Sequence, residues 1–248
     1  MKSMNEIDFS GKTVFVVGGS SGIGNGIARV FRDHGATVFV SGTRSSAEDY
    51  KGEEGSDLTG LSYLQLDVSN DKNVEQLVPP FETLDVLALS QGTVMYKRAE
   101  FQMENFRRVL DVNLMSVMSC CTKFHDMLAA SKGSVVILGS GASFYAVFGN
   151  PGYSASKGAL VTLTKTLAEA WATDGIRVNG IAPGLIATKI TKVTWDHPRR
   201  YADSLAEIPL KRWGTPEEMG GIALFLASPL SAYITGQMLI ADGGMSLS

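Results

Sequence analysis

The chain has 248 residues, 44% of them hydrophobic and 19% charged, with a formal net charge of −3. That composition excludes a disordered chain and supplies a substantial core, with eleven Phe, three Trp and seven Tyr for bulk. No Lys/Arg-rich block occurs, so nucleic acid is a poor partner.

The opening stretch, Met1 to Gly11, is polar and carries Lys2, Glu6 and Asp8. It lacks the apolar segment of a signal peptide. Two long uncharged stretches, 133–156 and 220–241, are interrupted by Gly139, Gly141, Pro151, Pro229 and Gly236, so neither reads as a membrane span. Adjacent Cys120 and Cys121 are badly placed for a disulfide and read as buried thiols. A soluble, cytoplasmic protein is expected.

Seven short β-branched runs read as strands: Thr13–Val17, Thr37–Ser41, Ser62–Leu66, Val86–Leu89, Ser134–Leu138, Arg177–Ala182 and Met238–Ile240. Several are apolar at every residue, as Val135-Val136-Ile137-Leu138 is, which suits strands covered on both faces. Helical periodicity fills the gaps at Ile23–His34, Lys72–Val78, Met103–Ala130, Tyr153–Trp171 and Glu217–Ala227. Alternation of the two predicts α/β architecture: one doubly wound, Rossmann-like parallel sheet of about seven strands, helices on both faces, spanning 1–248 as a single domain. Residues 41–60 read as loop. The irregular segment 185–213, beyond the sixth strand, is expected to form a substrate-binding lip.

The first strand runs into Gly18-Gly19-Ser20-Ser21-Gly22-Ile23-Gly24, and a helix follows. Glycines 18, 22 and 24 suit a tight turn, close approach of backbone N–H groups to a pyrophosphate, and tight helix–sheet packing. A dinucleotide site is therefore expected here. No acidic residue stands between Thr37 and Arg44 to bond a ribose 2′-hydroxyl, whereas Arg44 has the planar fork for a 2′-phosphate and Thr43 a hydroxyl beside it. NADP(H) is thus favoured, with NAD(H) as the alternative.

Tyr153 and Lys157 stand at i and i+4 on one helix face. An ammonium beside a phenol is expected to lower its pKa and make it a proton donor and acceptor near neutral pH. Ser140 lies just past the fifth strand, with its hydroxyl available to a substrate oxygen; Ser143 is its rival.

These residues resemble the short-chain dehydrogenase/reductase family of the single-domain type. The resemblance is carried in order by Gly18-x-x-x-Gly22-Ile23-Gly24, Asp67, Asn113 in Asp111-Val112-Asn113-Leu114, Ser140, Tyr153-x-x-x-Lys157, Pro183-Gly184, and Thr235-Gly236-Gln237 leading to Asp242-Gly243-Gly244. It implies a catalytic set of Asn113, Ser140, Tyr153 and Lys157. In that set Tyr153 is the general acid or base, Lys157 tunes it and holds the nicotinamide ribose, Ser140 polarises the carbonyl, and Asn113 helps hold a relay water. Cofactor contacts are implied for Gly18, Ser20, Ser21, Gly22, Ile23, Gly24, Thr43, Arg44, Asp67, Val68, Ser90, Gln91, Gly92, Tyr153, Lys157, Pro183, Gly184, Ile186 and Thr188. Substrate contacts are implied for Ser140, Phe144, Tyr145 and Tyr153, and no metal is implied.

Three positions depart from the family pattern. Val17 replaces the usual Thr before the glycine turn, so a bracing hydrogen bond is expected to be missing or replaced. Leu89-Ser90-Gln91-Gly92 replaces Asn-Asn-Ala-Gly, and Ser21 replaces a frequent basic residue of NADP enzymes. The expected reaction interconverts a ketone or aldehyde and an alcohol by hydride transfer on a small-molecule substrate. Two alternatives stand beside it. One is a 3-oxoacyl-[acyl-carrier-protein] reductase, for which Ser131-Lys132 and Asp174 give thin support at the site mouth. The other is a dinucleotide-binding regulator without turnover, disfavoured by retention of both Tyr153 and Lys157. The resemblance also implies a homotetramer, in which Cys120, Cys121, Met115, Met118 and Met127 suit an interface; burial in the monomer core is the competing expectation.

Overall fold

The structure, a computed structural model, describes residues 7–247. The readings of Lys2 and Glu6 lie outside the described residues. Seven parallel strands, β1 (Thr13–Val17), β2 (Thr37–Gly42), β3 (Ser62–Gln65), β4 (Val86–Leu89), β5 (Ser134–Leu138), β6 (Arg177–Pro183) and β7 (Met238–Ala241), make one sheet in the order β3-β2-β1-β4-β5-β6-β7. The connections are α1 (Gly22–Asp33), α2 (Asp71–Gln76), α3 (Met103–Leu110), α4 (Ser116–Ser131), α5 (Pro151–Ala170), α6 (Lys192–Trp195), α7 (Pro198–Glu207) and α8 (Pro216–Ala227).

The unbroken apolar runs are explained by cover on both faces. In β1, Phe15 and Val17 enter a core with Phe81, Leu87, Cys120, Cys121, Phe124 and Leu160 beneath α4 and α5. Val14 and Val16 enter the opposite core with Ile27, Phe31, Val40, Met219 and Leu224 beneath α1 and α8. Each fully buried Leu, Val or Phe contributes about 1.5–3 kcal/mol of transfer free energy. Glycines let α1 and α8 approach closely: a Cβ on Gly26 would lie 2.4 Å from Pro216 Cβ, and one on Gly220 would lie 2.6 Å from Val30 Cγ2.

The long helix expected over 103–130 is three pieces. A turn of π-helix, Asp111–Met115, separates α3 from α4 and carries Asn113 inward. The lip is more regular than its composition indicates. It holds α6 and α7, pinned by Trp195, Tyr201 and Trp213, whose ring centroids lie 4.9 to 5.7 Å apart. Loop 41–60 contains one 3-10 turn at Ala47–Tyr50. The cysteines belong to the monomer core rather than an interface, and burial pushes the Cys120 thiol up to about 12 and Cys121 higher. Met115 and Met118, by contrast, are 49% and 39% exposed. Among the described residues no helix is long and apolar enough to cross a membrane.

Candidate active site

The sheet order places β4 beside β1, and the two strands send their chains in opposite directions from their carboxyl ends. A crevice opens there for geometric reasons. It holds a cavity of about 670 Å³ lined by the glycine turn, Thr43 and Arg44 after β2, Asp67 and Val68 after β3, Ser90 to Gly92 after β4, Tyr153 and Lys157 of α5, and Pro183 and Thr188 after β6.

The glycines are required by this packing. Gly18 has φ +75°, and a Cβ there would lie 2.8 Å from the Gln91 backbone nitrogen. A Cβ on Gly24 would lie 2.3 Å from the Gly18 carbonyl oxygen, so Gly24 works behind the cavity, where it admits the helix. The brace lost with Val17 is replaced from the neighbouring strand: the Gly18 N–H donates to Ser41 Oγ at 3.2 Å. Gln91 Nε2 donates to Ser116 Oγ at 3.1 Å, tying the altered β4 turn to α4. Its Oε1 is buried without a hydrogen-bond partner on the lining of the cavity.

At the other end lies the Tyr–Lys pair. Pro151 starts α5, so Tyr153 and Lys157 fall on its first turns, one turn apart. Lys157 is 4% exposed; its Nζ donates to the Leu138 carbonyl at 2.7 Å and lies 5.9 Å from the Tyr153 ring centroid. Burial holds its pKa down at about 8. Ser140, beyond the carboxyl end of β5, stands near enough to the Tyr153 hydroxyl to act on its pKa. The Tyr153 pKa is raised, chiefly by burial and further by the Glu100 carboxylate, against the lowering effect of Ser140. The lowering expected from Lys157 is therefore corrected. The ammonium is engaged by a backbone carbonyl, and desolvation of the phenol prevails.

Ser140 Oγ also accepts from the Ala142 N–H at 3.1 Å, closing the 3-10 turn Gly141–Ser143. Ser143 is committed elsewhere, donating to the Lys157 carbonyl at 2.7 Å. Asn113, fully buried, grips the chain leaving β4: Nδ2 donates to the Thr93 carbonyl at 3.0 Å and Oδ1 accepts the Thr93 N–H at 2.7 Å. Nδ2 also donates to Ser156 Oγ on α5 at 3.1 Å. A Cβ placed on Gly92 would be 3.7 Å from both Asn113 Oδ1 and Lys157 Nζ, so these residues share one corner.

Some implied contacts do not reach the cavity surface. Ile186 is buried and bridges to Gly214. Gly184 lies against Asp242, where a Cβ would be 2.6 Å from Asp242 Cβ. Phe144 is exposed, while Tyr145 folds back over Gly141. The expectation for an acyl-carrier mouth fails on topology. Ser131 and Lys132 immediately precede β5 and Asp174 precedes β6, at the end of the sheet opposite the crevice.

Two residues escaped sequence reasoning. Glu100, 1% exposed, sits in a short polar stretch after Lys97-Arg98 that carries no motif. Its carboxylate accepts from the N–H groups of Met95 and Tyr153, each at 2.9 Å, and from Asn150 Nδ2 at 3.1 Å. Lys189, one residue beyond Thr188, lines the cavity opposite Arg44.

The cavity suits a dinucleotide: a glycine cradle at one end, a Tyr–Lys–Ser group at the other, and an unpartnered Gln91 acceptor between. Comparison with known proteins agrees. A family model described as enoyl-(acyl carrier protein) reductase matches residues 17–246. The chain is 37% identical over 246 residues to the 3-oxoacyl-[acyl-carrier-protein] reductase FabG of Chlamydia muridarum, covering 95% of this chain and 97% of the relative. It is 37% identical over 243 residues to the 2-dehydro-3-deoxy-D-gluconate 5-dehydrogenase of Bacillus subtilis, covering 94% of each. Among solved structures, the NADP active-site complex of Pseudomonas aeruginosa RhlG superposes with a TM-score of 0.85 at 29% identity, covering 96% of this chain and 98% of that one. With the ordered motifs, the sheet topology and these full-length likenesses together, the chain belongs to the short-chain dehydrogenase/reductase family.

Proposed function

We propose that this chain is an oxidoreductase that interconverts a ketone and a secondary alcohol by hydride transfer with a nicotinamide dinucleotide, NADP(H) in preference to NAD(H). The observation that carries the reading is Tyr153, beside Ser140 and one turn from buried Lys157, in the cavity that ends at the glycine turn. The residues to hold the cofactor are the glycine turn with Ser20, Ser21 and Ile23, then Asp67 and Val68 for the adenine, and Pro183 and Thr188 beside the nicotinamide. When bound, the dinucleotide supplies or accepts the hydride.

The protein's own residues handle the proton. A phenol held above its ordinary range is protonated at neutral pH, so Tyr153 is a donor suited to reduction. Ser140 orients the carbonyl oxygen toward it. Lys157 places a cation beside the forming phenolate. Asn113 fixes the Thr93 backbone against α5, which keeps that corner rigid. The lip 185–213, whose Thr188, Lys189 and Ile190 line the cavity, is the side from which a compact substrate is enclosed. A polyhydroxylated keto acid is favoured by the likeness to the gluconate-type dehydrogenase. The second reading, reduction of a 3-oxoacyl thioester on a carrier protein, is favoured by the likeness to FabG. The exposed Met115 and Met118 fit a homotetramer assembled on α4 and α5, and two reduced, buried cysteines fit the cytoplasm.

The test is NADPH oxidation against keto acids, simple ketones and 3-oxoacyl thioesters, with NADH in parallel. Turnover of one class, faster with NADPH, is expected. Tight dinucleotide binding with no turnover on any class would leave only the regulator.

A further inference from the structure

The phosphate end of the cleft is crossed by the loop that follows β2. Arg44 leaves β2 with its guanidinium 4.4 Å from the Tyr50 ring centroid and bonds the Asp49 carbonyl. Its Nη1 also lies 2.7 Å from Glu53 Oε2. The other oxygen of the same carboxylate pairs with Lys189, which comes from the far lip after β6. Two residues on, the Gly55 carbonyl accepts the N–H of Gly22 at 2.8 Å. One strap, 51–57, therefore joins the β2 side, the β6 side and the glycine turn. Arg44 and Lys189 line the cofactor cavity. Behind the strap, between it, α1 and the start of α8, is a second cavity of about 760 Å³ with Arg29 and Glu217 on its walls. On that side the strap faces open space.

We propose that Glu53 is a built-in anion that occupies the phosphate seat between Arg44 and Lys189, and that a cofactor with a 2′-phosphate binds by displacing it. This rests on the dinucleotide reading above and names the residue that sets its selectivity. A carboxylate and a phosphate compete for the same guanidinium and ammonium donors. A 2′-hydroxyl carries no charge and gains little from the vacated cations. Glu53 therefore weakens NADPH far more than NADH, and narrows the preference that Arg44 alone would impose.

The experiment is equilibrium titration without turnover, using 2′,5′-ADP and 5′-AMP as probes and nicotinamide fluorescence for NADPH and NADH. Glu53→Gln keeps shape and removes the charge. It is expected to tighten 2′,5′-ADP and NADPH by about tenfold and leave 5′-AMP and NADH within about twofold. Adding Lys189→Gln to Glu53→Gln is expected to cancel most of that gain. Thermal melts of each variant check that the fold is intact. Equal tightening of both nucleotides, no tightening of either, or a gain that survives Lys189→Gln overturns the proposal while the dinucleotide reading stands. Failure of every protein to bind any of the four probes overturns both.

Discussion

Lys157→Met tests whether the buried lysine of the candidate site is held at a cost to the fold. Burial lowers the Lys157 pKa from 10.5 to about 8. At about 1.4 kcal/mol per pH unit, that is a penalty of about 3 kcal/mol on the charged form at neutral pH. Methionine removes the charge and keeps most of the volume, but leaves the Leu138 carbonyl without its donor. An unmet buried acceptor costs about 1–3 kcal/mol. At pH 7 the two terms nearly offset, and the variant is expected to match or exceed the wild type by up to about 2 kcal/mol. The pH dependence is sharper. Between about 8 and 10.5 the unfolded chain holds the Lys157 proton and the folded chain does not, so wild-type stability rises with pH through that window. The variant lacks this slope. Urea unfolding of both proteins without cofactor, at pH 7 and at pH 10, measures it: wild type should gain about 2–3 kcal/mol on the variant. A difference independent of pH, or one that narrows in the variant's favour, would show that Lys157 is not a desolvated cation and would undo the reasoning.

Three further expectations follow from the same geometry. Tyr153→Phe removes the proton but keeps the ring, so turnover should fall about 10²–10⁴-fold with NADPH affinity nearly unchanged; steady-state rates and fluorescence titration check it. Glu100→Gln removes a carboxylate that raises the Tyr153 pKa and accepts its N–H. Reduction needs protonated Tyr153, so the alkaline limb of its pH–rate profile should move to lower pH, with a stability loss of about 2–3 kcal/mol; an unmoved limb contradicts the coupling. Ser41→Ala leaves the Gly18 N–H without its buried acceptor and should cost about 1–3 kcal/mol in denaturant midpoint analysis, with weaker dinucleotide binding.

The strands and the order of motifs were legible because their signals are local. A run such as Val135 to Leu138 can only be buried on both faces, and a glycine turn between strand and helix has one backbone solution. Tyr153 and Lys157 were legible because helical periodicity fixes their shared face. What residues do across the fold was not. Lys157 is spent on a carbonyl of β5, and Tyr153 answers to burial and to Glu100, fifty-three positions earlier. The π turn that carries Asn113 inward reads in sequence as ordinary helix. Ser41 replaces a brace that the sequence marks only as lost, because its partner lies one strand over. Arg44 reads as a free phosphate ligand until the loop after it delivers Glu53, and Lys189 arrives from the opposite lip. Sequence by itself determined the sheet, the glycine turn and the helix face that Tyr153 and Lys157 share, since each follows from side-chain period and backbone sterics. Only the tertiary structure decided which charges are buried, which are paired and with what, because desolvation and Coulomb energies depend on distances that chain order does not encode.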